Sequence, residues 1–158
     1  MEDRSKIVKE LIRLIETSHA HVTFENALAG LPAKLRTVTP DKLPYSIWQL
    51  VEHIRIAQAD IVDFSTSAEH TVLDWPADYW TEPVSEVSDD AWEASLKAIT
   101  ADRESFFVLL RNPDNDLFKP FGWGKGQTMF KEAVLIADHN AYHVAEILVI
   151  RRLLDAWK

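Results

Sequence analysis

Residues 128–156 read TMFKEAVLIADHNAYHVAEILVIRRLLDA, and this stretch decides the fold. On a helix, at about 100° per residue, its apolar residues cover almost the whole circumference. They separate into two stripes. The small stripe comprises Ala133, Ala137, Ala141, Ala145 and Leu148, and the bulky stripe comprises Leu135, Ile136, His139, His143, Ile147, Ile150 and Leu154. We expect the bulky stripe to face a helical core and the small stripe to admit another helix closely, which predicts a homodimer across the alanines.

Two helices are predicted towards the N-terminus of the chain. Apolar residues at helical spacing predict a first helix over 3–29, which Gly30 and Pro32 end. A second helix begins at Ser46, where Ser46 and Gln49 match the capping-box pattern, in which each side chain satisfies an exposed backbone donor.

The remaining helix and two long connections complete the layout. The third helix is predicted from Ser88 or Asp89 to just before Pro113. Residues 68–87 form a long connection, which in a four-helix bundle lets two successive helices run parallel. Residues 113–127 are rich in glycine and aromatic residues and predict a cover over a cleft. No segment has the pattern of a strand, so the predicted fold class is all-α, a four-helix bundle.

Composition narrows the class of protein. A length of 158 residues suits one domain over 1–158, and a net charge of -8 argues against binding to a nucleic-acid backbone. Because the chain has no cysteine, any metal must be held by nitrogen and oxygen ligands. The N-terminus lacks the apolar core of a signal peptide, and we expect no apolar run near the ~20 residues that span a membrane. A cytoplasmic location is therefore the expectation.

A pair of histidines on the last helix indicates a metal site. His139 and His143 are four residues apart, so both side chains lie on one face of a helix, about 5–6 Å apart at Cβ. Both fall on the bulky apolar stripe, where a polar group without a partner is costly. The pair alone is a weak signal, since two histidines at this spacing can also form ordinary polar contacts.

A third histidine on a facing helix strengthens this prediction. His53 lies at the edge of the apolar stripe of the second helix. Three histidines leave open coordination positions, as catalytic sites do, whereas structural zinc sites are usually closed by four protein ligands. A metal there could make a water molecule a nucleophile at neutral pH, or activate the thiolate of a cosubstrate. The all-nitrogen ligand set suits zinc, nickel, iron or copper and does not choose between them. We expect zinc or nickel, with iron or copper as alternatives.

Other polar residues are weaker candidates for a role in this site. Asp60 and Glu146 could orient an imidazole or act as a general base, and Tyr142 could donate a hydrogen bond to substrate. Each carboxylate could instead be a solvated helix residue or an intersubunit contact, and we favour that interpretation slightly. For Tyr142, a packing role is the more common one. His19, His21 and His70 are interpreted as surface or loop residues, and Trp48, Trp75, Trp80 and Trp123 as core or loop anchors.

Two motifs together resemble a known family. Residues 45–53, YSIWQLVEH, resemble the "WSxxxxxxH" signature of the DinB-like superfamily. Residues 138–147, DHNAYHVAEI, followed by RRLL at 151–154, resemble its C-terminal "DHNAYHxGQI…RRLL" signature. The WP…YW segment over 75–80 resembles one of its branches.

This resemblance implies an up-down-down-up four-helix bundle with a long crossover after the second helix. It also implies a divalent metal on His53, His139 and His143. Related members include thiol-dependent S-transferases and isomerases that use bacillithiol, mycothiol or glutathione. The chain departs from the pattern at Tyr45, where tryptophan is usual, and at Ala145–Glu146, where Gly-Gln is usual.

Three functions remain open from the sequence. The first is a metal-dependent enzyme, a thiol S-transferase or hydrolase, that acts on a small molecule such as a low-molecular-weight thiol. The second is a non-catalytic metal- or ligand-binding stress-response dimer. The third is a structural dimer in which the core histidines merely satisfy each other.

Overall fold

A computed structural model describes residues 2–17 and 20–157. Within those residues the protein is built of helices and contains no strand, which confirms the all-α prediction. The α-helices are α1 (Glu2–Thr17), α2 (Phe24–Leu28), α3 (Ile47–Thr66), α4 (Asp89–Arg111) and α5 (Met129–Leu153). Two short 3₁₀ turns, Ala33–Leu35 and Ala77–Tyr79, lie in the connections.

The predicted first helix is wrong as a single element. The structure has α1 and the short α2 in its place, because Thr23 is extended and its side chain accepts a hydrogen bond from the amide of Asn26, which starts a new helix. Gly30, at φ +66°, follows the end of α2, where a left-handed backbone conformation suits glycine. The apolar spacing alone did not reveal this break.

The starts of the three longer helices agree with the sequence. Ser46 and Gln49 form the predicted capping box at the start of α3. Ser88 and Thr128 cap α4 and α5 by accepting hydrogen bonds from backbone amides in the first turn. These caps satisfy donors that have no partner within the helix.

The four longer helices contact one another in a ring. α3 packs against α4 and α5, and α1 packs against the same two helices. Two groups of buried residues fill the interior; one surrounds Leu50, Ile54 and Ile147, and the other surrounds Phe106 and Phe107. The up-down-down-up order of helix directions stays a prediction.

Arg151 ties α2 to the end of α5. Its side chain is buried, and the guanidinium donates hydrogen bonds to the carbonyl oxygens of Ala27 and Ala29, at 2.5 and 2.9 Å. It also donates to the carbonyl of Ala156 and lies over the ring of Trp157. Because these acceptors are unpaired carbonyls near helix ends, one side chain stabilises two helix termini.

The small stripe of α5 faces partly into its own chain. Ala133 is buried, and Ala137 and Ala141 line a cleft together with Leu14 and Phe24. The chain's own N-terminal helices therefore occupy part of the face on which the homodimer was expected, and the dimer stays a prediction. Leu135 is 45% exposed, contrary to its expected place in the core.

By length and composition alone, α5 is apolar enough to cross a membrane, which the sequence analysis did not foresee. The same test is passed by core helices, and α5 contacts α1, α2 and α3 within the protein. In the structure, 39% of its most apolar 18-residue window is buried within the protein.

Candidate metal centre

His53, His139 and His143 come together between α3 and α5. One ring nitrogen from each lies within 4.8 Å of the others, and no other group of this kind occurs among the described residues. His53 and His143 are buried and His139 is half-buried. The capping box fixes where α3 starts, and the four-residue spacing on α5 places the other two histidines on one face.

The backbone of the long connection fixes the orientation of His53. Its Nδ1 lies 2.8 Å from the carbonyl oxygen of Tyr79, and since a carbonyl only accepts, Nδ1 carries the proton. The other nitrogen, Nε2, therefore keeps its lone pair. Trp80 stacks on the imidazole at 3.9 Å between ring centroids and 4° between planes, which restricts rotation of the ring.

Glu146 orients His143 in the same manner. Its Oε2 lies 2.7 Å from Nδ1 of His143, and its Oε1 accepts a 2.5 Å hydrogen bond from the hydroxyl of Tyr45. Both carboxylate oxygens are thus engaged. A carboxylate on one imidazole nitrogen makes the other a better metal ligand, as is common in metal sites. Burial, together with Glu146, raises the pKa of Tyr45, so this phenol stays protonated.

The contact between His139 and His53 fits a shared cation. Their Nε2 atoms lie 3.1 Å apart. Two nitrogens that bind one ion at about 2.0–2.1 Å lie roughly 3.0–3.4 Å from each other. Because Nε2 of His53 is unprotonated, the pair needs a proton or a cation between its nitrogens. The donor set and spacing therefore suit a divalent metal.

The three imidazoles are kept neutral. Burial lowers the pKa of His53 and His143. For His139, burial and then the neighbouring His143 and His53 lower the pKa to about 4. Neutral imidazole is the form that binds metal.

An aromatic cleft of about 490 Å³ opens above the histidines. Trp75, Tyr79 and Trp80 form one wall, from the long connection, and Leu135 and Tyr142 form part of the other, from α5. Tyr142 is 64% exposed and meets His143 edge-on at 5.0 Å between ring centroids. A small molecule could reach the histidines through this cleft.

The structure places the other predicted residues as follows. Asp60 lines the cleft and accepts a 2.6 Å hydrogen bond from the hydroxyl of Tyr79, but it forms no hydrogen bond with any of the described histidines. His21 and His70 lie outside the three-histidine group, as expected, and His19 falls outside the described residues. Glu146 bonds to Nδ1 of His143, so its interpretation as a solvated helix residue was wrong.

The sequence analysis missed the roles of the long connection. Trp75 and Trp80 line the cleft beside His53, whereas Trp48 packs against Trp92 and Trp123 bonds to the carbonyl of Phe64, as anchors do. The WP…YW pattern was the available signal. It could not show which side chain or carbonyl would meet His53.

Comparisons with known proteins gave a match to one family model. Searches of curated proteins and of solved structures gave no match. The family model described as the DinB superfamily matches residues 16–147, a span that includes all three histidines. This match covers most of the chain, and the protein therefore belongs to the DinB superfamily.

Proposed function

We propose that the protein binds one divalent metal ion through His53, His139 and His143 and is an enzyme that uses this ion to act on a small molecule. The observation that supports this best is the 3.1 Å separation between Nε2 of His53 and Nε2 of His139. The third histidine, His143, is oriented by Glu146. Among the metals that accept such ligands, we favour zinc or nickel over iron or copper.

The residues around the centre have separate tasks in this proposal. When bound, the metal supplies a Lewis acid that activates water or a thiol. Glu146 holds the Nδ1 proton of His143, and the carbonyl of Tyr79 holds that of His53. Trp75 and Trp80 exclude water from one side of the cleft, and Tyr142 is free to donate a hydrogen bond to substrate.

The reaction class proposed is a thiol S-transfer or a hydrolysis. A cleft of about 490 Å³ falls within the range of sites for small ligands, about 300–1,000 Å³. The three protein ligands leave coordination positions for a cosubstrate, such as a low-molecular-weight thiol. A non-catalytic metal- or ligand-binding protein is the alternative, and it differs in giving metal binding without turnover.

Metal analysis tests the proposal. Protein purified without an affinity tag, then loaded with zinc or nickel and desalted, should hold about one metal per chain by elemental analysis. His53→Ala and His139→Ala should lose it, whereas the matched control His70→Ala should keep it. Wild-type protein that retains no metal would overturn the proposal. Conjugation and hydrolysis assays with several thiols then separate enzyme from binding protein.

The homodimer and the cytoplasmic location remain proposals as well. The exposed side of α5, with Tyr142, Val149 and Leu153, offers apolar surface beside the partly occupied alanine stripe. Light scattering at micromolar concentration tests the dimer, and a monomeric mass would exclude it.

A further inference from the structure

The exposed residues of α5 all lie on one side of the helix. They recur at helical spacing and fall within about 100° of one another around the helix axis. We call this side the outer face of α5; it comprises Lys131, Val134, Leu135, Asp138, Tyr142, Ala145, Val149, Arg152 and Leu153. At a rise of about 1.5 Å per residue, the outer face is roughly 33 Å long.

The outer face is apolar where the solvent side of a helix is normally polar. Its large exposed apolar side chains are those of Val134, Leu135, Tyr142, Val149 and Leu153. On α4, which the structure describes over its full length, Val108 is the one large apolar side chain that is exposed. A continuous exposed apolar surface of this kind is typical of an interaction site.

Two opposite charges interrupt this apolar surface symmetrically. Asp138 lies seven residues before Ala145, and Arg152 lies seven residues after it. Seven residues are close to two helical turns, so the three side chains form one row along the outer face. Neither charged side chain forms a hydrogen bond or an ion pair with any residue that the structure describes, so both are available to a partner.

This row is complementary to a second copy of itself. When two outer faces pack antiparallel with Ala145 against Ala145, Asp138 of each copy lies opposite Arg152 of the partner, and the contact contains two ion pairs. The small side chain at the centre lets the two helices approach closely. Parallel packing about a twofold axis would instead place each charge opposite its own copy. The charges therefore favour the antiparallel arrangement, in which both copies use the same surface.

The apolar residues match in the same antiparallel arrangement. Tyr142 lies three residues before Ala145 and Val149 lies four residues after it, so each Tyr142 falls beside Val149 of the partner. Leu135 and Leu153 lie ten and eight residues from the centre on its two sides, which places Leu135 within about 3 Å of Leu153 of the partner along the helix axis. Apolar side chains thus meet apolar ones on both sides of each ion pair.

We propose that a second copy of this chain docks on the outer face of α5 in this antiparallel arrangement. The proposal rests on the homodimer proposed above, but it moves the contact from the alanine stripe, which the N-terminal helices partly occupy, to the neighbouring outer face. Leu135 and Tyr142 lie on the outer face and also line the metal cleft. Val149 and Leu153 of the partner therefore stand beside the mouth of the cleft, and the second copy extends its wall.

Charge reversal tests the pairing, with sedimentation equilibrium of the full-length protein as the measurement. Asp138→Arg and Arg152→Glu each place two pairs of like charges in the contact, so each variant alone should raise the dimer Kd at least about tenfold. An equal mixture of the two variants should dimerise as tightly as the wild type, because both pairs in the mixed dimer are again opposite in charge. Restoration in the mixture also shows that both variants fold. Glu104→Arg, at an exposed position of α4, is the matched control and should leave the dimer unchanged.

The outcomes separate this pairing from the other proposals. A wild type that is monomeric at high micromolar concentration would overturn the dimer and the pairing together. A dimer that persists in both variants, or one that the mixture does not restore, would overturn the pairing on the outer face alone. Ala145→Glu, an independent variant, puts two like charges at the centre and should also prevent dimerisation. Arg152→Glu should hold as much metal as the wild type, since all three histidines belong to one chain.

Discussion

Glu146 accepts a 2.7 Å hydrogen bond from Nδ1 of His143, one helical turn earlier on α5. The other carboxylate oxygen of Glu146 accepts a hydrogen bond from the hydroxyl of Tyr45, which lies just before the start of α3. The carboxylate therefore joins the two helices that carry the histidines. At the position where the family signature usually has glutamine, this chain has a glutamate that contacts an imidazole of the candidate metal centre.

This relationship predicts a graded effect of substitution at Glu146. Glu146→Ala leaves Nδ1 of His143 without an acceptor and should weaken metal affinity by about 10–100-fold. Glu146→Gln can still accept that hydrogen bond and should weaken metal affinity much less. Competition with a chromogenic chelator measures both. Tyr45→Phe is the control, since it keeps the His143 contact; an Ala variant as tight as the wild type would show that Glu146 does not support the centre.

The lowered histidine pKa values predict a pH dependence of stability. In the folded, metal-free protein the pKa of His139 is about 4, below its ordinary value of 6.5, so the unfolded chain binds more protons in this range. Stability should therefore be full above pH 6.5 and fall as pH decreases towards 4. Urea unfolding at several pH values measures this. His139→Gln removes the titrating group, so the stability of this variant should fall less over the same pH range. If the stability of both proteins fell in parallel with pH, His139 would not be the group responsible.

Metal binding should stabilise the fold. An ion that binds only the folded state at about a thousand times its Kd adds roughly 4 kcal/mol to the free energy of unfolding. Zinc should raise the melting temperature of the wild type, and a chelator should reverse the rise. His53→Ala should show little response to zinc, whereas His70→Ala should respond like the wild type.

The capping box of α3 should contribute measurably to stability. Ser46 is buried, and its hydroxyl accepts the amide of Gln49, so Ser46→Ala should lower the free energy of unfolding by about 1 kcal/mol. Urea denaturation measures the loss. Ser105→Ala is the matched control, since Ser105 is an exposed serine within α4 and its loss should change stability by about 0.5 kcal/mol or less.

Much of the candidate site could be predicted because its signals are local. The spacing of His139 and His143, the capping pattern at Ser46 and the position of His53 each depend on the geometry of a single helix. The break before Phe24 could not be predicted in this way, since the apolar spacing continues across it and one side-chain cap decides the matter. Glu146 was undervalued for a related reason: its hydrogen bond with Tyr45 joins α5 to a residue that lies just before α3.

The sequence by itself determined an all-helical chain, the face of α5 that carries two histidines, and the absence of cysteine ligands. Helical periodicity and composition depend on the sequence alone, so they can be recognised without knowing how the helices pack. The tertiary structure alone decided that Tyr79 and Trp80 fix His53 and that Glu146 bridges Tyr45 and His143. These contacts join residues from different elements, and their distances depend on how the long connection and the helices pack together.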